Sequence, residues 1–241
     1  MIKKLLTTFS LALVFIITSL GLIGCSVAVR GSGDVIEESR DATDFDRIAL
    51  DGVGEIILIQ GDHYSLVIEA EDNLMEYIKT DVRGDELTIR IQSRRPIMPT
   101  EPLKFFVTTP NLEAVSVDGA GFVSIDELDT NSLELSIDGS AQMNIDQLEA
   151  NSVAVNINGL GDLNLSGNTD SLEIEIDGAG TFDGKGLESN AATVDINGMG
   201  SATLSVENNL DVNVDGSGRV AYYGHPRVTQ DINGFGQVVQ K

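Results

Sequence analysis

Val153-Ala154-Val155-Asn156-Ile157-Asn158-Gly159-Leu160-Gly161-Asp162-Leu163-Asn164-Leu165 is the stretch that decides the fold. Val153, Val155 and Ile157 alternate with small or polar residues, an Asn-Gly step interrupts them, and Leu163 and Leu165 resume the alternation. A period of two marks strands with one buried face, so this is strand, sharp corner, strand. The arrangement recurs on both sides, at Asp118-Gly119-Ala120-Gly121, Asp138-Gly139-Ser140-Ala141, Asp177-Gly178-Ala179-Gly180, Asn197-Gly198-Met199-Gly200, Asp215-Gly216-Ser217-Gly218 and Asn233-Gly234-Phe235-Gly236. The first residues of the seven corners are 20, 20, 19, 20, 18 and 18 positions apart. A fixed period near twenty is the signature of a solenoid.

One such unit cannot bury its own apolar face. Neighbours must stack, each strand pairing with its counterpart about 4.8 Å away. The expected fold is all-β: a single-stranded parallel β-helix with coils of about 18–20 residues, its corners turned by Gly119, Gly139, Gly159, Gly178, Gly198, Gly216 and Gly234. Asx-Gly steps turn the chain because Asx bonds the local backbone and Gly accepts positive φ. They also make hairpin turns, so an antiparallel meander competes, disfavoured by the constant spacing. Polar turns such as Asp129-Thr130-Asn131-Ser132 and Glu149-Ala150-Asn151-Ser152 separate the units.

The corners carry a second regularity. Asp corners hold a small third residue (Ala120, Ser140, Ala179, Ser217), and Asn corners hold a large apolar one (Leu160, Met199, Phe235). With one unit per coil, Asp and Asn alternate up the stack from Asp138, and an Asn amide separates carboxylates that would otherwise repel. With two units per coil they would form separate columns. A coil near forty residues would need a wide filled interior, and the chain has no Trp and 8 Phe; one unit per coil is preferred. Asp118 beside Asp138 is then the one like-charged pair, expected to show a raised pKa or to hold a cation.

The N-terminal third is less regular. Arg30-Gly31-Ser32-Gly33 and Asp51-Gly52-Val53-Gly54 look like two further corners, strands are expected at 56–59, 65–70, 86–92 and 103–108, and Asp72 or Asn73 can cap a helical turn through Leu74, Tyr77 and Ile78. The segment 94–100 is too rich in Pro for a ladder. Residues 31–117 are read as first coils plus an irregular cap protecting the strand edge, and 118–241 as the regular repeats of the same domain.

Before this domain, Lys3 and Lys4 precede an apolar stretch from Leu5 to Ile23 that ends Leu22-Ile23-Gly24-Cys25. That is the form of an export signal, and its end resembles the bacterial lipobox, with cleavage before an acylated Cys25. Residues 1–24 are expected to be removed and 25–30 to tether the domain to a membrane lipid. Two or more acyl chains hold effectively permanently. Cys25 is the only cysteine, so the chain has no internal disulfide. Without residues 1–24 it keeps 13 basic and 38 acidic side chains, a net charge of −25. Such a field repels nucleic acid, which is excluded as a partner.

The Leu-Asp-Gly-Val-Gly-Glu-Ile segment at 50–56, Glu-Asp-Asn-Leu-Met-Glu-Tyr-Ile at 71–78, Leu87-Thr88-Ile89, the serial Asx-Gly-x-Gly corners, and Val220-Ala221-Tyr222-Tyr223-Gly224 with Asp231-Ile232-Asn233-Gly234-Phe235-Gly236 resemble the DUF2807 family, also called the head GIN or autotransporter adhesin domain. The resemblance runs from about 30 to 241. It implies a β-helical, secreted or lipid-anchored bacterial domain with adhesion as its suggested role, and it brings no catalytic motif. The chain departs from the pattern at Ala141, where the other corners have a second Gly.

Little in the sequence points to catalysis. His63 and His225 are the only histidines and stand far apart in sequence, and no Ser has a His placed as its base. Some β-helices cleave acidic polysaccharides with clustered carboxylates, but Asp in every coil suits a ladder better than a local site. Asp118 and Asp138 are the weak metal candidates and Ca²⁺ the one cofactor considered; the nonapeptide calcium repeat has half this period. Tyr222, Tyr223, His225 and Arg227 form the one aromatic and basic cluster, read either as a C-terminal cap or as a glycan-binding site. The expectation is a non-enzymatic, lipid-anchored envelope protein that contacts a glycan or another envelope protein.

Overall fold

The structure, a computed structural model, describes residues 28–241. The signal segment and Cys25 lie outside the described residues. From Ala114 onward the chain winds as a parallel β-solenoid of about five turns, about 20 residues apart. Its strands are β9 (Ala114–Gly159), β10 (Asp162–Gly178), β11 (Thr181–Gly198), β12 (Ser201–Gly216), β13 (Arg219–Tyr223), β14 (Arg227–Gly234) and β15 (Gln237–Gln240). All pairings between them are parallel, which excludes the meander.

Register settles the size of a coil. Asn158 pairs with Asp177, Asp177 with Asn197, Asn197 with Asp215 and Asp215 with Asn233. One unit therefore makes one coil. Inward residues stack in columns: Ile157, Ile176, Ile196, Val214 and Ile232 form one, and Met143, Leu163, Phe182, Ala202, Val220 and Val238 another. In the second column the Phe182 ring occupies the space left open by Ala202 and by Gly184, where a Cβ would lie 2.5 Å from that ring. The interior is one continuous apolar cluster from Ala42 to Val220.

The two glycines of each corner answer different constraints. Gly159 has φ +127°, and a Cβ there would lie 2.5 Å from the carbonyl oxygen of Gly139 in the coil before. That oxygen already accepts the Leu160 N–H at 2.8 Å. Gly161 is not in the left-handed region and needs only room beside Ile137 and Ile157. Ala141, at that second position of its own corner, is buried and tolerated.

The N-terminal part continues the stack by another route. β3 (Arg47–Gln60) lies on β9 with Asp51 opposite Asp118 and Gly52 opposite Gly119. The expected corner at 51–54 is thus real, but 59 residues of chain separate it from the next layer: β6 (Glu86–Ile91) and β8 (Lys104–Thr109) lie parallel beneath the two halves of β3. The Pro-rich segment joins β6 to β8 in place of an Asx-Gly corner. Within it Ile97–Met98, β7, pairs with Val29–Arg30, β1, so the segment carries a short ladder that its prolines argued against. Antiparallel strands then close the edge: β4 (Ser65–Glu71) on β8, β2 (Val35–Arg40) on β4 and β5 (Ile78–Arg83) on β6. The outermost, β2, carries Glu37, Glu38 and Arg40, and charge blunts an exposed edge.

The expected corner at Arg30–Gly33 is not one. It is a loop packed on the carboxylate of Glu71, which accepts the Gly33 N–H at 2.8 Å, the Thr100 N–H at 3.0 Å and the Thr100 hydroxyl. Glu71 is fully buried and ends β4, just before α1 (Asp72–Met75). Burial would push its carboxyl up, but the bonds from Thr100, Gly33 and Glu101 outweigh it and hold the group below the usual glutamate value.

Candidate binding groove

The polar turns between units are more than connections. Four successive coils read Asp129-Thr130-Asn131, Glu149-Ala150-Asn151, Asn168-Thr169-Asp170 and Glu188-Ser189-Asn190. The middle residue of each is small and turned inward, because a larger side chain would not fit where the coil bends. Thr130, Thr169 and Ser189 are buried and spend their hydroxyls on the backbone carbonyls of Ser132, Ser171 and Ser205. The flanking residues stand out on either side. Stacking turns this into a longitudinal groove of about 1700 Å³ with a small-residue floor and walls of Asn, Asp and Glu.

The walls are organised along the axis. Asn151 Nδ2 donates to Asn131 Oδ1 at 2.6 Å, Asn190 Nδ2 to Asp170 Oδ1 at 2.7 Å, and Asn168 Nδ2 to Glu149 Oε1 at 2.6 Å across the other wall. Each bond links one coil to the next and fixes the side chains before any ligand arrives. At the N-terminal end Gln60 closes the groove like a short strand, donating to Asp129 O and Pro110 O and accepting the Asp129 N–H. At the other end Tyr223, Gly224 and His225 line it, and Gln240 Nε2 donates to Gly224 O at 2.7 Å and meets His225 Nδ1 at 3.2 Å.

The cluster expected at 222–227 is therefore divided. Tyr222 packs against the core and donates structure to the last coils. Tyr223 and His225 line the groove, with Lys185 Nζ over the Tyr223 ring at 5.1 Å. Arg227 is exposed and starts β14 opposite Asn209, away from the groove lining. His63 lies in an exposed turn, bonded to Asp62.

At the Asx corner the expected Asp118–Asp138 pair is a run of three, because β3 brings Asp51 onto Asp118. Sequence spacing could not show this, since they stand 67 positions apart. Among the described residues no three His, Cys, Asp or Glu side chains gather as metal ligands. The groove itself was missed, although its signal was present: acidic or amide, small, Asn or Asp, repeating at the coil period. Read one unit at a time, each is only a turn.

The side chains of the groove walls can both donate and accept hydrogen bonds. Carboxylates accept, carboxamides do both, and adjacent pairs of such groups match the vicinal hydroxyls of a sugar. Each carboxylate of the walls repeats a position rather than converging with another and a base.

Several solved structures share the fold. A "putative adhesin" from Bacteroides fragilis superposes with a TM-score of 0.83 at 24% identity, covering 89% of this chain and 100% of that one. A "putative adhesin" from Parabacteroides merdae gives 0.71 at 22% identity (89% and 99% covered), and a "putative lipid binding protein" from Parabacteroides distasonis 0.69 at 18% (89% and 99%). No curated protein matches the chain. The matching family profile spans residues 44–226, from the strand before the first stacked corner to the end of the groove, and the chain belongs to that family: DUF2807, "Putative auto-transporter adhesin, head GIN domain".

Proposed function

We propose that the protein is an adhesin-like module of the bacterial cell surface, held by lipid on Cys25, that lays an extended glycan along the groove. The observation that carries this reading is the groove: a preformed, axis-long channel whose hydrogen-bonding walls repeat with each coil. A repeated wall fits a repeated ligand, and a hexose unit in an extended glycan is comparable in length to one coil step. The same uniformity favours holding a polymer over cutting it at one place. Family membership supports adhesion as the setting, and the lipobox-like Leu22-Ile23-Gly24-Cys25 supports the tether.

A soluble 26–241 fragment keeps every described element and is suited to a glycan array. Binding of extended neutral or amino-sugar oligomers is expected, with affinity rising with oligomer length. Removing the inter-coil pair with Glu149→Ala and Asn168→Ala should weaken it about tenfold, as for the loss of one charge-assisted hydrogen bond. Unchanged binding in that variant, or no glycan bound at all, would overturn the reading. Metabolic labelling with a palmitate analogue, lost in Cys25→Ala, tests the anchor separately.

A further inference from the structure

The Asx corner, on a different edge of the coil from the groove, presents large apolar side chains to water. Leu160 is 64% exposed, Met199 73% and Phe235 87%. Each N–H bonds back to the Gly carbonyl of the preceding coil, which fixes where the side chain emerges. Between them in the column stand Ala179 and Ser217, with Ser140 below, also exposed. The ridge is thus a row of knobs one coil apart from gaps, knob to knob spanning two coils, roughly 10 Å.

We propose that this ridge pairs with the same ridge of a second copy, antiparallel about a two-fold axis lying between the Ala179 and Met199 coils. That register sets Met199 opposite Ala179, Leu160 opposite Ser217 and Phe235 opposite Ser140, so all three knobs meet gaps at once. It follows from the stacking order of the corners and from a two-fold axis, which makes residue i face j and j face i.

The polar residues of the corner suit the same register. Each of these three knobs follows an Asn and each gap that faces one follows an Asp, so the same register puts Asn158 opposite Asp215, Asn197 opposite Asp177 and Asn233 opposite Asp138. Each facing pair joins an amide donor to a carboxylate acceptor, and no two carboxylates meet. This complementarity selects a second copy over a bilayer, because an anionic membrane surface would face the Asp residues instead. The contact is a narrow one and belongs to the weak, reversible class. Taken with the tether on Cys25, on which this consequence alone rests, antiparallel partners carry their anchors at opposite ends, so the pair would join two facing membranes.

Sedimentation of the 26–241 fragment over a concentration series should show a reversible monomer–dimer equilibrium. Met199→Ser and Phe235→Ser should each weaken it tenfold or more. Ala179→Leu and Ser217→Leu, both at exposed positions, should weaken it as well by filling gaps, whereas a merely sticky ridge would associate more tightly. Asn197→Asp should weaken it at low salt, and Asp177→Asn in the same chain should restore it. Mixed Leu160→Cys and Ser217→Cys chains should form a disulfide-linked heterodimer. A monomer at every concentration, tighter association of the Leu variants, or binding to liposomes with no dimer would overturn the proposal. Glycan binding of the Leu variants serves as the control for fold and tests the groove independently.

Discussion

Gly159 and Gly161 sit two residues apart and should respond differently to the same added methyl. Gly159→Ala combines left-handed strain with a backbone oxygen that cannot move without shifting the neighbouring coil, a cost of about 2–4 kcal/mol. Gly33 also has positive φ, but nothing lies within 4 Å of its added Cβ, so Gly33→Ala should cost about 1–2 kcal/mol from strain alone. Denaturant midpoints of the two variants check this, and equal losses would show that the stacked carbonyl does not matter. Asp46 offers a different test, since its Oδ1 is buried without a hydrogen-bond partner. Burial first, and then Glu113 and Asp85, push its carboxyl above the usual aspartate value. A raised acid stabilises fully below the unfolded value, about 3.9, and loses that contribution as pH rises through the folded one. Asp46→Asn should therefore raise the melting temperature at pH 7 and leave it unchanged near pH 3.

Among elements, the cap is where sequence and structure part company, and Glu71 shows why. Its segment reads like any strand end, yet its carboxylate joins the loop at Gly31–Gly33 to Thr100, partners 38 and 29 residues away. No local pattern encodes such a meeting. The same holds for β6 and β8, which together imitate a coil although a Pro-rich segment replaces their corner. The regular coils were legible because each repeats its neighbour, so apolar alternation and Asx-Gly spacing were tested seven times over; the groove was legible only across coils. Glu71→Gln should weaken the staple by about 1–3 kcal/mol at neutral pH. Its lowered pKa places this contribution above the unfolded value, about 4.3, with loss as pH falls through the folded value. The wild type and the variant should therefore converge in stability in acid, the reverse of Asp46. At the Asx ladder, Asp118→Asn interrupts the run Asp51, Asp118 and Asp138 and should raise the melting temperature in dilute buffer. The gain should shrink in about 1 M salt, where the screening length falls to about 3 Å.

At the scale of the molecule, stacking makes stability nearly a sum over coils and their interfaces. Removing residues 138–157 takes out one coil and joins Ile137 to Asn158, corner onto corner, with Ile157 and Ile137 equivalent in the inward column. The rod should remain folded, because Gly159 would then rest on Gly119 in the geometry that Gly139 provides now. Since the denaturant dependence of unfolding scales with the surface exposed, its slope should fall by about a tenth. The deletion also takes Glu149, Ala150 and Asn151 from the groove and so shortens it by one step. Long glycans should lose affinity in this variant while those already shorter than the groove keep theirs, a length dependence that loss of a single contact would not produce. The deletion removes the gap at Ser140 as well, but Ala120 takes its place beneath Leu160, so a two-fold pair centred between Ala179 and Met199 would keep all three knob contacts, with Phe235 now opposite Ala120. A chain that fails to fold without this coil would mean that the coils are not interchangeable layers, and both surfaces would then need another explanation.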